Sequence, residues 1–199
     1  MSAKEYFDNA ADTWDEKFHT PSLCSFLETL VPQFGLKSGQ NILDVGTGTG
    51  VLIPYILKEV GPSGSVTAID YSEKMVQVCQ TKHSHNPNVT IKVGNIEEPP
   101  FPAETFDAVI CFGMFPHLDH KQEALQNINY MLKSGSKLVI AHALSSEELK
   151  AHHKKVSRQV AHSMLPKNDQ MTQLLQQTGF TKISIKDEPG CYLCFAYKG

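Results

Sequence analysis

The apolar residues of this chain follow two different periods. Short continuous apolar runs predict buried strands, whereas apolar residues that repeat every three or four positions predict helices with one buried face. The predicted strands are 41–45, 65–70, 89–93, 106–112, 137–141, 182–187 and 192–197. The predicted helices are 51–60, 73–82, 122–132, 146–161 and 168–178. Residues 1–36 precede the first strand, and their pattern also predicts helices.

Strands and helices alternate through most of this sequence. Such alternation predicts an α/β fold of three layers, a doubly wound and mostly parallel sheet with helices on both faces. The last two predicted strands are separated by Glu188-Pro189-Gly190, which favours a hairpin and hence an antiparallel strand at the carboxyl end. Ligands of such sheets bind beyond the carboxyl ends of the parallel strands. Functional residues are therefore expected in the loops that follow them.

A glycine-rich turn, Asp44-Val45-Gly46-Thr47-Gly48-Thr49-Gly50, joins the first strand to the next helix. Glycines at alternate positions let the backbone approach a nucleotide-like ligand closely. The dinucleotide fingerprint GxGxxG fails in both registers, because Val51 and Ile53 stand where its third glycine belongs. The carboxylate of Asp44 would repel a pyrophosphate but suits a cationic ligand. A nicotinamide oxidoreductase is therefore disfavoured.

Composition narrows the function classes further. The chain has 199 residues, of which 41% are hydrophobic and 20% charged, and this predicts one folded domain over 1–199. A net charge of -3 disfavours nucleic acid as a partner, and no apolar stretch predicts a membrane span or a secretory signal. The odd number of cysteines, five, favours reduced thiols and a cytoplasmic location.

Five segments of the chain read DVGTGTG, AIDYS, VGNIEEPPFP, FDAVICFGMFPHL and LKSGSKLVIAH. Together they resemble the class I S-adenosylmethionine-dependent methyltransferases, especially the ubiquinone/menaquinone-biosynthesis-like branch. The resemblance extends from about Gly39 to Gly199. It implies a Rossmann-like core at 37–199 with a helical insert at about 146–165, and an amino-terminal helical lid at 1–36. Both a monomer and a homodimer are compatible with it.

The resemblance also implies a cofactor, S-adenosylmethionine, and a product, S-adenosylhomocysteine. The glycine turn would lie under the methionine part, Asp70 would hold the ribose, and Asn95 would accept from the adenine amine. Asn95 replaces a commoner aspartate, but its amide oxygen is also an acceptor. Met75 is open to two interpretations, an adenine neighbour or a core residue. The implied contacts are Asp44, Gly46, Thr47, Gly48, Gly50, Asp70, Tyr71, Met75, Asn95, Ile96, Cys111, Phe112 and Gly113.

Histidines accumulate where the methyl acceptor is expected. His117 follows the fourth strand, His142 the fifth and His19 an amino-terminal helix, while helical spacing from Leu149 turns His153 inward. Three interpretations are open. These histidines are ordinary pocket residues, or His117 or His142 is a catalytic general base. In the third, His142, His153, His117 and His19 bind a divalent metal that activates the acceptor.

The sequence therefore predicts an S-adenosylmethionine-dependent methyltransferase whose acceptor is a small-molecule thiol, hydroxyl or enol carbon. The alternative is a non-catalytic S-adenosylmethionine-binding protein or sensor. The segment Cys111-Phe112-Gly113-Met114 lacks the Asn/Asp-Pro-Pro-aromatic run of the amino-group methyltransferases that act on adenine or glutamine. Ala141-His142 stands where catechol methyltransferases, which use magnesium, have an Asp-Asn pair. Both substrate classes are therefore disfavoured.

Overall fold

The structure is a computed structural model that describes residues 3–98, 101–156 and 164–199, with the side chains of residues 3 and 153–156 outside its description. Seven strands form one sheet in the order β3-β2-β1-β4-β5-β7-β6. The strands are β1 Asn41–Val45, β2 Ser65–Asp70, β3 Val89–Val93, β4 Phe106–Phe112, β5 Leu132–His142, β6 Phe180–Glu188 and β7 Cys191–Lys198.

The helices alternate with these strands, as the sequence predicts. They are α1 Ala3–Ala10, α2 Trp14–Phe18, α3 Pro21–Leu30, α4 Ile53–Val60, α5 Glu73–His83, α6 Lys121–Met131, α7 Ser146–Val156 and α8 Asn168–Gln177. The end of the helix predicted at 146–161 lies outside the described residues. Within the described part of the chain, no helix is long and apolar enough to cross a membrane.

The strand directions confirm the predicted mixed sheet. β1, β2 and β3 are mutually parallel, and β4 is parallel to β5. β7 is antiparallel to both of its neighbours, β5 and β6. Gly190 makes the tight turn of this hairpin with φ 79°, a backbone conformation that glycine adopts without strain.

β5 begins earlier than its apolar pattern indicates, at Leu132 rather than at residue 137. Leu132 pairs with Phe106, and the register then shifts before Ala108 pairs with Lys137. The intervening polar residues Lys133-Ser134-Gly135-Ser136 hide this start from the sequence pattern. The extra length on β5 is taken up as an irregularity in the ladder, which changes the local twist but not the strand order.

The chain divides into two compact units, residues 1–95 and 96–199. In the first unit α4 contacts β1 and β2, and α5 contacts β2 and β3. In the second unit α6 contacts β5 and α8 contacts β6. Each side chain fully buried in these contacts stabilises the fold by roughly 1.5–3 kcal/mol. Such residues include Ile42, Leu43, Ile56, Val60, Val109, Ile110, Leu125, Ile128 and Ile140.

Candidate cofactor and acceptor sites

The three glycines of the turn after β1 share a left-handed backbone but differ in how much space surrounds them. Gly46, Gly48 and Gly50 have φ of 66°, 56° and 88°, where other residues are strained. A Cβ at Gly50 would lie 2.6 Å from the Cδ2 atom of His83 and 2.8 Å from the Sγ atom of Cys79. Gly50 is therefore required by the packing of α5. At Gly48 a Cβ would have only the Nε1 atom of Trp14 within 4 Å, at 3.9 Å.

Asp70 at the end of β2 fixes this turn at Gly48. Its Oδ2 atom accepts from the backbone N–H of Gly48 at 2.9 Å, and its Oδ1 atom accepts from that of Ser72 at 2.9 Å. Ser72 in turn caps α5, since its hydroxyl oxygen accepts from Met75 N–H at 3.1 Å. Burial raises the pKa of Asp70, although both backbone donors oppose the rise. A carboxylate has about four sites that can accept a hydrogen bond, so Asp70 can accept from a further donor such as a ribose hydroxyl.

Asp44 is a second buried carboxylate, at the end of β1. Its side chain is 1% exposed, and its Oδ2 atom accepts from the Thr47 hydroxyl at 2.6 Å. Burial raises the pKa of Asp44 to about 7, and the negative charge of Asp70 acts in the same direction. A positively charged group bound nearby would oppose both effects and favour the carboxylate.

Two aspartates attach the amino-terminal helices to the glycine turn and to α5. The carboxylate of Asp15 accepts from the Thr49 hydroxyl at 2.5 Å and from Lys82 Nζ at 2.6 Å. The Oδ1 atom of Asp8 accepts from the Ser72 hydroxyl at 2.6 Å. Sequence reasoning missed both residues, because no local pattern distinguishes them from other acidic residues on a helix surface.

Aromatic side chains gather beside this turn. Phe7 contacts Trp14 with ring centroids 5.7 Å apart, and it meets the ring of Tyr71 edge-on at 6.1 Å. Tyr71 is a residue that the resemblance implies beside adenine. The amino-terminal helices thus place aromatic surface next to one implied cofactor contact, where a planar base would pack.

The other implied cofactor contacts are divided between the two units. In the first unit, Met75 is buried in α5 and the Asn95 side chain is exposed after β3. In the second unit, Ile96 and Cys111 are buried, while Gly113 follows β4 with φ 70° and would have no atom within 4 Å of an added Cβ. Their roles toward a cofactor stay predictions.

His142 and His117 both belong to the second unit. His142 ends β5 and is 2% exposed, and its ring meets that of Tyr192 at 70° with centroids 6.2 Å apart. His117 lies in a short 3-10 helix, Phe115–His117. The Nζ atom of Lys121 donates to the carbonyl oxygens of Pro116 and Leu118 at 3.2 and 2.6 Å, so it fixes the backbone on both sides of His117.

Sequence reasoning also missed a polar network around the start of α7. The backbone N–H and hydroxyl of Ser146 donate to the two carboxylate oxygens of Asp187, at 2.9 and 2.6 Å. The Oε2 atom of Glu148 accepts from the N–H groups of Ser145 and Gly190, at 2.8 and 2.7 Å. Two carboxylates thereby join the start of α7 to the β6–β7 hairpin. These contacts join distant residues, so no sequence spacing announces them.

The predicted metal site receives no support from the described side chains. Among residues 4–98, 101–152 and 164–199, no three or more histidine, cysteine, aspartate or glutamate side chains are grouped so as to hold a metal. His19 instead places its Nδ1 atom 2.9 Å from Asp15 Oδ1, and burial lowers its pKa. The side chain of His153 lies outside the described residues.

Comparison with known proteins identifies the family. A family model described as a methyltransferase domain matches residues 36–179. The chain belongs to this family. The match contains the glycine turn, both buried carboxylates, His117 and His142. The resemblance noted in the sequence, to class I S-adenosylmethionine-dependent methyltransferases of the ubiquinone/menaquinone branch, is confirmed.

Curated relatives of this methyltransferase domain are similar over part of their length. A ubiquinone/menaquinone biosynthesis C-methyltransferase of Hahella chejuensis is 32% identical over 114 residues, or 55% of this chain and 45% of the relative. A demethylmenaquinone methyltransferase of Staphylococcus aureus is 38% identical over 111 residues, or 55% of this chain and 46% of the relative. The match thus spans somewhat less than half the length of these relatives.

A solved structure matches nearly the whole methyltransferase domain. The crystal structure of a SAM-dependent methyltransferase from Aquifex aeolicus has a TM-score of 0.77 and is 26% identical. The match covers 94% of this chain and 98% of that one. It confirms the Rossmann-like arrangement of the sheet.

Proposed function

We propose that this methyltransferase domain transfers a methyl group from S-adenosylmethionine to a small molecule through a thiol, hydroxyl or enol carbon. The observation that carries the proposal is the pair of buried carboxylates at the glycine turn, Asp44 and Asp70. Asp70 fixes the turn through Gly48, and Asp44 supplies negative charge where the ligand is expected to be cationic. The name of the Hahella relative, a C-methyltransferase, favours a carbon acceptor within this class.

The residues at the turn fit the cofactor. Asp70 can accept from a ribose hydroxyl, and the open position at Gly48 lets the backbone come close to a ligand. Tyr71, packed against Phe7, offers an aromatic face to adenine. When bound, S-adenosylmethionine supplies a methyl group on a positively charged sulfur. The protein orients this group and excludes water from it.

The acceptor's proton needs a base, and the histidines that follow β4 and β5 are suited to this role. An imidazole changes charge near neutral pH, so His142 or His117 can take a proton from a weakly acidic acceptor and release it to water. His142 is nearly fully buried at the end of β5, where the acceptor is expected. Of the two histidines, we propose His142 rather than His117 as the general base.

Binding separates this proposal from a nicotinamide enzyme or a protein that lacks nucleotide affinity. Calorimetric titration with S-adenosylmethionine and S-adenosylhomocysteine should show one site per chain, and NAD should show none. Asp70→Asn should weaken the binding of S-adenosylhomocysteine by about tenfold or more, because hydrogen bonds to a charged acceptor are stronger than those to a neutral one. Asp107→Asn, in β4 with Lys133 as its ion-pair partner, is the matched control and should leave affinity unchanged. Absence of binding to either sulfur ligand would refute the proposal.

Turnover separates an enzyme from a non-catalytic sensor. Incubation with S-adenosylmethionine and a panel of small thiols, phenols and enols should release S-adenosylhomocysteine with at least one acceptor. His142→Ala should lower that rate by about a hundredfold while leaving cofactor affinity nearly unchanged. Binding without product from any acceptor would favour the sensor instead.

A bound divalent metal stays a prediction, because one of its predicted ligands, His153, has its side chain outside the described residues. Elemental analysis of protein purified without a histidine tag or chelator measures it directly. Metal that is present at one equivalent and lost in His142→Ala would make metal-assisted transfer the mechanism. Monomer or homodimer, and a cytoplasmic location, likewise remain predictions. The mass of the protein in solution decides the first.

A further inference from the structure

A row of three polar side chains crosses the antiparallel part of the sheet in the second unit. His142 on β5 is the direct partner of Tyr192 on β7, and Tyr192 is also the direct partner of Asp187 on β6. Directly paired residues project from the same face of a sheet. His142, Tyr192 and Asp187 therefore stand side by side on one face, at the end of β5 where acceptors are expected.

Tyr192 is the unexplained member of this row. Its side chain is 0% exposed, yet its hydroxyl has no hydrogen-bond partner among the side chains and backbone that the structure describes. A buried hydroxyl without a partner is unfavourable, so such groups in native proteins usually serve a ligand, a water or a function. Burial also raises the pKa of Tyr192, which keeps the phenol protonated and therefore able to donate.

The surroundings hold Tyr192 in place without satisfying it. Both oxygens of Asp187 accept from Ser146, and Glu148 accepts from Gly190 in the turn that precedes β7. The hairpin that carries Asp187 and Tyr192 is thereby joined to the start of α7. A donor fixed in this way loses little entropy when a ligand binds, which is the property of a preorganised site.

We infer that Tyr192 completes the acceptor site beside His142 by donating a hydrogen bond to the acceptor's oxygen. The inference rests on the proposed function. His142 takes the proton of the acceptor's hydroxyl, and Tyr192 donates a hydrogen bond to the oxygen as its negative charge develops. The acceptor's electron pair then forms the bond from its carbon or oxygen to the methyl carbon. The carbon–sulfur bond breaks at the same time, its electron pair stays on sulfur, and the proton leaves His142 for water.

Tyr192→Phe tests the inference, because it removes only the hydroxyl and keeps the ring. The probe is 4-fluorophenol observed by fluorine NMR with S-adenosylhomocysteine bound, and 4-fluorotoluene serves as the control ligand without a hydroxyl. Wild-type protein should bind 4-fluorophenol more tightly than 4-fluorotoluene. Tyr192→Phe should weaken binding of the phenol by about tenfold and leave binding of the toluene unchanged. Its melting temperature should not fall, since no hydrogen bond within the described protein is lost.

Tyr197→Phe is the matched control on the same strand and should bind both probes like wild type. Once an acceptor is known, Tyr192→Phe should lower kcat by about tenfold or more and leave the affinity for S-adenosylhomocysteine unchanged. Equal affinity of wild type and Tyr192→Phe for 4-fluorophenol, or no detectable binding to wild type, would overturn the inference. If the wild type did not bind S-adenosylhomocysteine, the proposed function itself would be overturned. The two failures are therefore distinguishable.

Discussion

At the scale of single residues, two carboxylates at adjacent strand ends differ in their hydrogen-bond partners. Asp70 receives two backbone N–H groups, whereas Asp44 receives the Thr47 hydroxyl and lies near the negative charge of Asp70. Hydrogen bonds to the charged form favour ionisation, and burial opposes it. A cationic ligand bound beside either carboxylate would oppose the effect of burial and favour the charged form.

The raised pKa of Asp44 predicts a specific dependence of stability on pH. Its pKa is about 7 in the folded protein against a usual 3.8, so the folded state holds this proton more tightly than the unfolded chain does. Asp44 therefore contributes less stability as pH rises from about 4 to about 7. Relative to Asp44→Asn, the wild type should lose about 3–4 kcal/mol of unfolding free energy over this range.

Urea denaturation of both proteins between pH 4 and pH 8 measures this difference. Asp107→Asn, which removes an ionisable group paired with Lys133, provides the control for a general effect of pH. If the curves of wild type and Asp44→Asn run parallel over the range, the pKa of Asp44 is not raised.

The glycine turn predicts unequal costs for alanine. Gly50→Ala combines a left-handed backbone with contacts of 2.6 and 2.8 Å to His83 and Cys79, so we expect a loss of about 3 kcal/mol or more in unfolding free energy. Gly48→Ala has the backbone strain without the clash and should lose about 1–2 kcal/mol. Equilibrium unfolding in urea compares them.

A double variant identifies the cause of the Gly50 effect. Adding His83→Ala to Gly50→Ala makes room for the methyl group, so the combined loss should be smaller than the sum of the single losses. Additive losses would mean that the contact with His83 does not limit this position.

At the scale of elements, the amino-terminal helices depend on Asp15. Burial raises the pKa of this carboxyl. Lys82, Thr49 and His19 together lower it by a larger amount, so the net pKa lies below its usual value. Asp15→Asn should weaken the attachment of α2 to the turn and speed amide exchange in residues 4–18 by roughly fivefold, about 1 kcal/mol of local stability. Asp12→Asn, an exposed neighbour, is the control.

Exchange mass spectrometry measures this attachment. The same protection in Asp15→Asn as in wild type would show that the aromatic contacts of Phe7 and Trp14 hold these helices without the carboxylate.

The elements were predictable from sequence and their contacts were not. Strands β1, β2 and β4 follow their apolar runs, because a buried strand needs apolar side chains and its pattern is local. The pairing of His142 with Tyr192, and of Asp15 with Thr49 and Lys82, depends on register and packing between distant segments. A local pattern carries no information on such pairings, so Tyr192, Asp8 and Asp15 were missed while Asp44 and Asp70 were found.

At the scale of the whole molecule, the implied cofactor contacts are shared by both units. Asp44 and Asp70 belong to residues 1–95, and Gly113 belongs to residues 96–199. A ligand that binds only the folded protein stabilises every segment whose opening releases it. S-adenosylhomocysteine is therefore expected to protect both units rather than the glycine turn alone.

Thermal unfolding and amide exchange together test this expectation. At roughly a hundredfold excess over its Kd, S-adenosylhomocysteine should add about 2.7 kcal/mol and raise Tm by about 5–10 °C. Exchange should slow in 44–72 and in 106–113 alike, while NAD should change neither quantity. Protection confined to 44–72 would mean that Cys111, Phe112 and Gly113 make no cofactor contact.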